Sequence, residues 1–242
     1  MCYNQTTSLV TFSISAICFS YLLYYGLKTD NKYDIFAAIV TILIGFMQLL
    51  EFFLWRSQDC SKTNHFLSLL IIVLLYSQCI IGPIAAMYLF SSLKGNYLSY
   101  FIFALCILFT VVTFFTLKWL NQQHLCSKPT NNSCRLAWAP YTVFLKSLKG
   151  MLYLLSFSTL YAVLFSYAFF IQFLTFNKSF TQMSFNSEIF SKYIIRNLFL
   201  PVSYLFAILY AVYYEGKNYM DIFGSFWCFS AVGFGIVSCL HI

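Results

Sequence analysis

Seven long, continuous apolar stretches constrain this chain more than any other feature. They run from Ser8 to Leu27, Ile35 to Trp55, Phe66 to Phe90, Tyr97 to Trp119, Met151 to Leu174, Tyr193 to Tyr214 and Ile222 to Leu240. A helix rises about 1.5 Å per residue, so about 20 apolar residues cross a hydrocarbon layer about 30 Å thick. Strands of a membrane barrel would instead alternate apolar and polar residues over about ten positions. The runs here do not alternate. The expectation is an all-α polytopic membrane protein, a seven-transmembrane-helix bundle forming one membrane domain over residues 1–242.

Composition agrees. Hydrophobic residues make up 61% of the chain and charged residues 9%, whereas a water-soluble surface needs about a quarter of residues charged. Aromatic residues crowd the ends of the runs, as at Tyr24, Tyr25, Trp55, Trp119, Tyr213 and Tyr214, where one ring edge can be wet and the other apolar. The formal charge of +7 is scattered between the runs without a nucleic-acid-like cluster, so the bases read as anchors beside lipid headgroups. The lipid bilayer is the partner that composition identifies. Protein partners and homo-oligomerisation stay open. The first run lacks a basic leader and a small-residue cleavage pattern, so it is expected to remain as the first span.

Pro83 and Pro201 fall inside the third and sixth runs and are expected to kink them. The connection from Leu120 to Gly150 is long enough for structure of its own, and Leu136 to Leu148 reads as a short interfacial helix.

Seven spans put the termini on opposite sides. The face with the amino terminus carries eight bases (Arg56, Lys62, Lys118, Lys128, Arg135, Lys146, Lys149, Lys217) and the other carries six (Lys28, Lys32, Lys94, Lys178, Lys192, Arg196), a small excess favouring a cytoplasmic amino terminus. The cysteines point the other way. Cys2, Cys60, Cys126 and Cys134 all lie on the amino-terminal face, an even number suited to disulfides in an oxidising compartment, with Cys126 and Cys134 close in sequence. Chance placement of free thiols is the bland alternative. Glycosylation sequons at Asn4 and Asn131 share that face, against one at Asn177 on the other. The expected orientation is therefore an exoplasmic or lumenal amino terminus and a cytoplasmic carboxyl terminus.

Ionisable groups inside hydrocarbon cost about 2.5–3.5 kcal/mol on insertion scales, so each invites a functional hypothesis. Glu51 is the clearest. Gln48, Glu51 and Trp55 recur at one helical face, a candidate intramembrane polar site for a proton, a cation or a bound amine. The bland reading pairs Glu51 with Arg56 or Lys118. Arg196 reads as an interfacial snorkeler, Gln78 and Gln172 as interhelical hydrogen-bonding groups, and Asp221 as a first-turn acid. Gly224, Gly233 and Gly235 would let the last helix pack closely. No catalytic, cofactor or metal site is expected. His65, His124 and His241 are far apart, and no zinc spacing or Gly-rich phosphate loop is present.

Three seven-span families fail on their motifs. The Asp/Glu-Arg-Tyr and Asn-Pro-x-x-Tyr motifs of G-protein-coupled receptors are absent, the last run has no Schiff-base lysine for retinal, and no Pro-Gln dipeptide occurs. Met1-Cys2-Tyr3 with Ser8-Leu9, and Met47-Gln48-Leu49-Leu50-Glu51 ending in Trp55, resemble uncharacterised multi-pass membrane proteins of large DNA viruses and some microbial eukaryotes. The resemblance covers these two short pieces. It implies a seven-helix bundle in a viral or host membrane, supplies no activity, and singles out Cys2 and the Gln48–Glu51 face. The leading functional expectation is a non-enzymatic protein handling a cation, proton or small ligand near Glu51. The alternatives are a structural or interaction protein of a viral or cellular membrane, and then a receptor.

Overall fold

The computed structural model describes residues 4–90, 97–129, 136–180, 187–215 and 227–240. They are mostly helical. In chain order they form α1 (Gln5–Thr29), α2 (Lys32–Arg56), α3 (Lys62–Leu89), α4 (Tyr97–Leu120), the strands β1 (Lys128–Pro129) and β2 (Leu136–Ala137), α5 (Ala139–Phe144), α6 (Leu148–Phe180), α7 (Ser187–Glu215) and α8 (Trp227–Leu240). A turn at Val232 interrupts α8. β1 and β2 pair antiparallel, with Lys128 opposite Ala137.

Five helices, α1 to α4 and α6, are long and apolar enough to cross a membrane. α7 and α8 carry shorter apolar stretches, Leu198–Tyr213 and Trp227–Leu240. Pro83 and Pro201 both lie within continuous helices.

α2 is the axis of the assembly. Of its apolar window 61% is buried, against 28% for α1, because α1, α3 and α8 all pack on it. α3 in turn contacts α4 and α6. Phe36, Met47, Ile71, Ile72, Phe109 and Phe144 are fully enclosed in the core, while Phe101, Phe103, Val111, Phe114 and Phe115 of α4 are exposed, as lipid-facing side chains are.

The α1–α2 seam is made of small and hydroxyl-bearing residues. Ser8, Thr11, Ser15, Cys18, Leu22 and Gly26 are the buried positions of α1, spaced three or four apart. A Cβ added at Gly45 of α2 would sit 2.6 Å from the Ser15 Cβ, so the two backbones approach as small residues permit in membranes. The hydroxyls are satisfied within their own helix: Thr11 donates to the Thr7 carbonyl at 2.6 Å, Ser15 to Thr11 at 3.0 Å and Thr41 to Ala37 at 2.7 Å. Such back-bonding lets a polar side chain sit in hydrocarbon without an orphaned donor.

The helix ends follow from local chemistry. Asn4 caps α1, its Oδ1 accepting from the Thr7 amide at 3.0 Å, and Asn31 caps α2 through the Tyr33 amide at 3.0 Å. α1 stops at Asp30, whose φ of 51° is left-handed, a conformation that Asp tolerates better than most residues. At α8, a Cβ on Gly233 would meet the Phe199 ring at 2.5 Å, and one on Gly235 would meet Thr41 Cγ2 at 2.5 Å. The last helix thus packs closely at these two glycines. Gly224 lies outside the described residues.

Candidate functional site

The carboxyl end of α2 places Gln48 and Glu51 in the interior, 1% and 4% exposed, and leaves Trp55 half-buried against the core. Glu51 Oε1 accepts a hydrogen bond from the indole Nε1 of Trp138 at 3.0 Å, and Oε2 accepts one from Gln48 Nε2 at 3.5 Å. The Trp55 indole makes no hydrogen bond among the described residues. The two bases considered as partners point elsewhere. Arg56 is exposed with its guanidinium 5.8 Å from the Phe52 ring centroid, and Lys118 is exposed.

The Trp138 contact was not expected. The stretch read as an interfacial helix from Leu136 to Leu148 is instead a short strand followed by a six-residue helix, α5. That helix is packed inward: Trp138, Ala139, Pro140, Val143 and Phe144 are all buried. Pro140 stands at the start of α5, where its missing amide costs nothing. Trp138 stacks on Tyr141 with centroids 5.9 Å apart, and Phe144 stacks on Trp119 at 5.7 Å. Burial raises the Tyr141 phenol above its ordinary value. A side chain at Gly150 would collide with the Phe144 backbone, so only glycine lets α6 start this close beneath α5.

Around α5 the described residues form a cap on the amino-terminal face. Cys60 and Cys126 are joined by a disulfide, so Cys126 bonds across to the α2–α3 connection rather than to its sequence neighbour Cys134. Cys2 and Cys134 lie outside the described residues. Beside the disulfide, the fully buried Asn64 uses both ends of its amide. Nδ2 donates to the carbonyls of Ser57 and Ser127, the latter at 3.0 Å, and Oδ1 accepts from the Ser127 amide at 2.8 Å and the Ser68 hydroxyl at 3.2 Å. The Ser127 hydroxyl completes the network with Ser68 at 2.8 Å and the Ala139 amide at 3.0 Å. His65 Nε2 lies 3.3 Å from Asn121 Oδ1 at the rim. Asn4, on this face, spends its amide oxygen on the α1 cap, and Asn131 lies outside the described residues.

A second polar node occupies the opposite end of α2. Asp34 Oδ1 and Arg196 Nη1 form an ion pair at 2.6 Å, with side chains 4% and 11% exposed. Asn31 Nδ2 donates to Asp34 Oδ2 at 2.7 Å, and Arg196 Nη2 donates to the Ser238 carbonyl at 2.8 Å. The arrangement follows helix electrostatics: Asp34 is in the first turn of α2, and Arg196 meets a carbonyl in the last turn of α8. This corrects the reading of Arg196 as a snorkeler. A guanidinium so enclosed binds α2, α7 and α8 together.

Between the nodes, Gln78 Nε2 donates to the Leu43 carbonyl at 3.1 Å, and its Oε1 accepts from the Tyr161 hydroxyl at 3.0 Å. It thus acts as the interhelical link expected of it, joining α2, α3 and α6. Gln172 and Asp221 fall where nothing of their side chains is described. No group of three or more His, Cys, Asp or Glu side chains is placed to hold a metal among the described residues.

No protein-family model, curated protein or solved structure matches the chain.

Proposed function

We propose that the chain is a seven-helix membrane protein, one domain throughout, that takes up a proton or small cation at Glu51. The observation that carries this reading is a carboxyl group 4% exposed at one end of the bundle, held by the Trp138 indole at 3.0 Å. A carboxyl in a low-dielectric interior is costly to keep charged, so its natural chemistry is to accept a proton or hold a cation. Trp138 belongs to the cap rather than to a long helix, so a shift of α5 would bare Glu51 to the amino-terminal face. The seven-span count is supported by the packing of α8 on α1, α2 and α7, which makes the two shorter apolar stretches part of the same bundle. The disulfide favours an exoplasmic or lumenal placement for the cap.

The test is electrical recording and proton flux on purified protein in liposomes, wild type beside Glu51→Gln. Flux in the wild type and its loss in a folded variant is the expected result. Equal flux in both proteins would remove Glu51 from the mechanism.

A second reading is favoured by the Asn64–Ser127 network and the disulfide, which make the cap a rigid platform. It is that of an interaction protein, in a viral or cellular membrane, whose cap binds a protein partner. That reading predicts no flux in either protein and a stable partner on pull-down that is lost when Cys60 is replaced. A receptor would show a saturable ligand and a coupling partner on the cytoplasmic side.

A further inference from the structure

Cys18 of α1 and Cys239 of α8 are both free thiols, the first buried and the second half-buried. They come from opposite ends of the sequence, 221 positions apart, and the close packing of α8 on α1 brings them together. A Cβ on Gly235 would lie 3.3 Å from the Cys18 Cβ, so the backbones nearly touch one turn before Cys239. Cys239 Sγ lies 3.8 Å from the Cys18 carbonyl oxygen. Arg196 donates to the carbonyl of Ser238, the residue before Cys239, while its own charge is paired with Asp34, so exchange at the pair proceeds through the small fraction of thiol that ionises.

We propose that Cys18 and Cys239 are a redox-active dithiol that closes to a disulfide, stapling the last helix to the first. The oxidant is a small disulfide able to enter the bilayer. The Cys239 thiolate attacks one of its sulfurs, forming a mixed disulfide and releasing one thiolate. Cys18 then attacks the Cys239 Sγ, the Cys18–Cys239 bond forms, and the second thiolate leaves. The protein loses two protons and two electrons, and the small disulfide is reduced to two thiols. This inference is independent of any role for Glu51, which lies near the other end of α2. It predicts two cysteine pairs of different kind: Cys60–Cys126 closed in the cap, and Cys18–Cys239 able to open and close.

The experiment treats the full-length protein in lipid nanodiscs with 4,4′-dithiodipyridine and maps its peptides without reduction by mass spectrometry. The expected result is a peptide linking Cys18 to Cys239, lighter by two hydrogens than its parts, with no thiopyridyl group retained on either cysteine. Cys18→Ser should instead leave a stable thiopyridyl adduct on Cys239. Separate adducts on the two cysteines of the wild type, or neither adduct nor link while Cys60–Cys126 is intact, would overturn the proposal. The wild-type measurement decides the matter even if the variant fails to fold.

Discussion

α2 carries an acid near each end, and the two ends solve the same problem differently. Asp34 and Glu51 are about 25 Å apart along the helix at 1.5 Å per residue, and both are almost wholly buried. Asp34 meets a guanidinium drawn from α7, which in turn reaches α8. Glu51 meets an indole N–H from the cap and a carboxamide one turn back on its own helix. The first arrangement ties three helices with opposite formal charges and loses its sense if either charge is removed. The second ties a helix to a connecting segment through the indole and carboxamide N–H donors. One end of α2 is fastened by opposite formal charges, the other by hydrogen bonds from an indole and a carboxamide.

The comparison can be broken most forcefully at the charged end. Arg196→Leu strands the Asp34 carboxylate, and the expected loss is about 3–5 kcal/mol, as when one partner of a buried ion pair is removed. Adding Asp34→Asn to that variant should restore much of it. Reversible unfolding in mixed micelles would show both, and equal stability of single and double variants would mean the pair is not a unit. At the cap end, Cys60→Ser opens a link between positions 66 apart, with an expected cost of about 2–4 kcal/mol. The same protocol with and without reductant on the wild type should reproduce the difference.

Trp138→Phe sharpens the contrast by keeping a large ring while deleting the indole donor. Leaving the buried carboxyl oxygen without this donor costs about 1–3 kcal/mol. Glu51→Gln, which keeps an acceptor oxygen, should cost less, about 1 kcal/mol. A double-mutant cycle over Trp138 and Glu51 measures the coupling, and additivity would mean that indole and carboxyl are not a unit.

The smallest effect is expected in the loop before α3. Hydrogen bonds from Ser61, the side-chain one first and the backbone one at 3.3 Å second, hold the Asp59 carboxyl below its ordinary 3.8. A folded value below the unfolded one stabilises above pH 3.8 and is lost as pH falls through the folded value. The slight advantage of wild type over Asp59→Asn should therefore vanish between about pH 5 and pH 2, followed by thermal unfolding.

Five of the seven expected spans were legible because hydrophobic length is a local property. Ser8 to Leu27 and Ile35 to Trp55 fall inside α1 and α2, and the ends differ because caps such as Asn4 and Asn31 extend each helix beyond its apolar run. Glu51 was legible as an anomaly, one acid among Leu and Phe. Its partner was not: Trp138 is 87 residues away in a segment whose composition suits an interface as well as a core. Arg196 misled for a related reason. A base at the end of a span looks the same in sequence whether it reaches lipid headgroups or an acid 162 positions earlier. Four cysteines on one face allow three pairings, and only the folding of the 57–61 turn toward Ser127 makes Cys60 the partner of Cys126. The small-residue stripe of α1, from Ser8 to Gly26, was readable in principle, through its spacing of three and four.

The connection between α1 and α2 consists of Asp30 and Asn31 alone, with Gly26 so close to the Ile35 amide that a Cβ would lie 2.9 Å from it. The consequence is one of access. A two-residue link keeps the two helices side by side as one helical hairpin. On that side of the membrane, the stretch from Gln5 to Arg56 offers proteases, antibodies and inserted tags only the short exposed corner from Leu27 to Lys32.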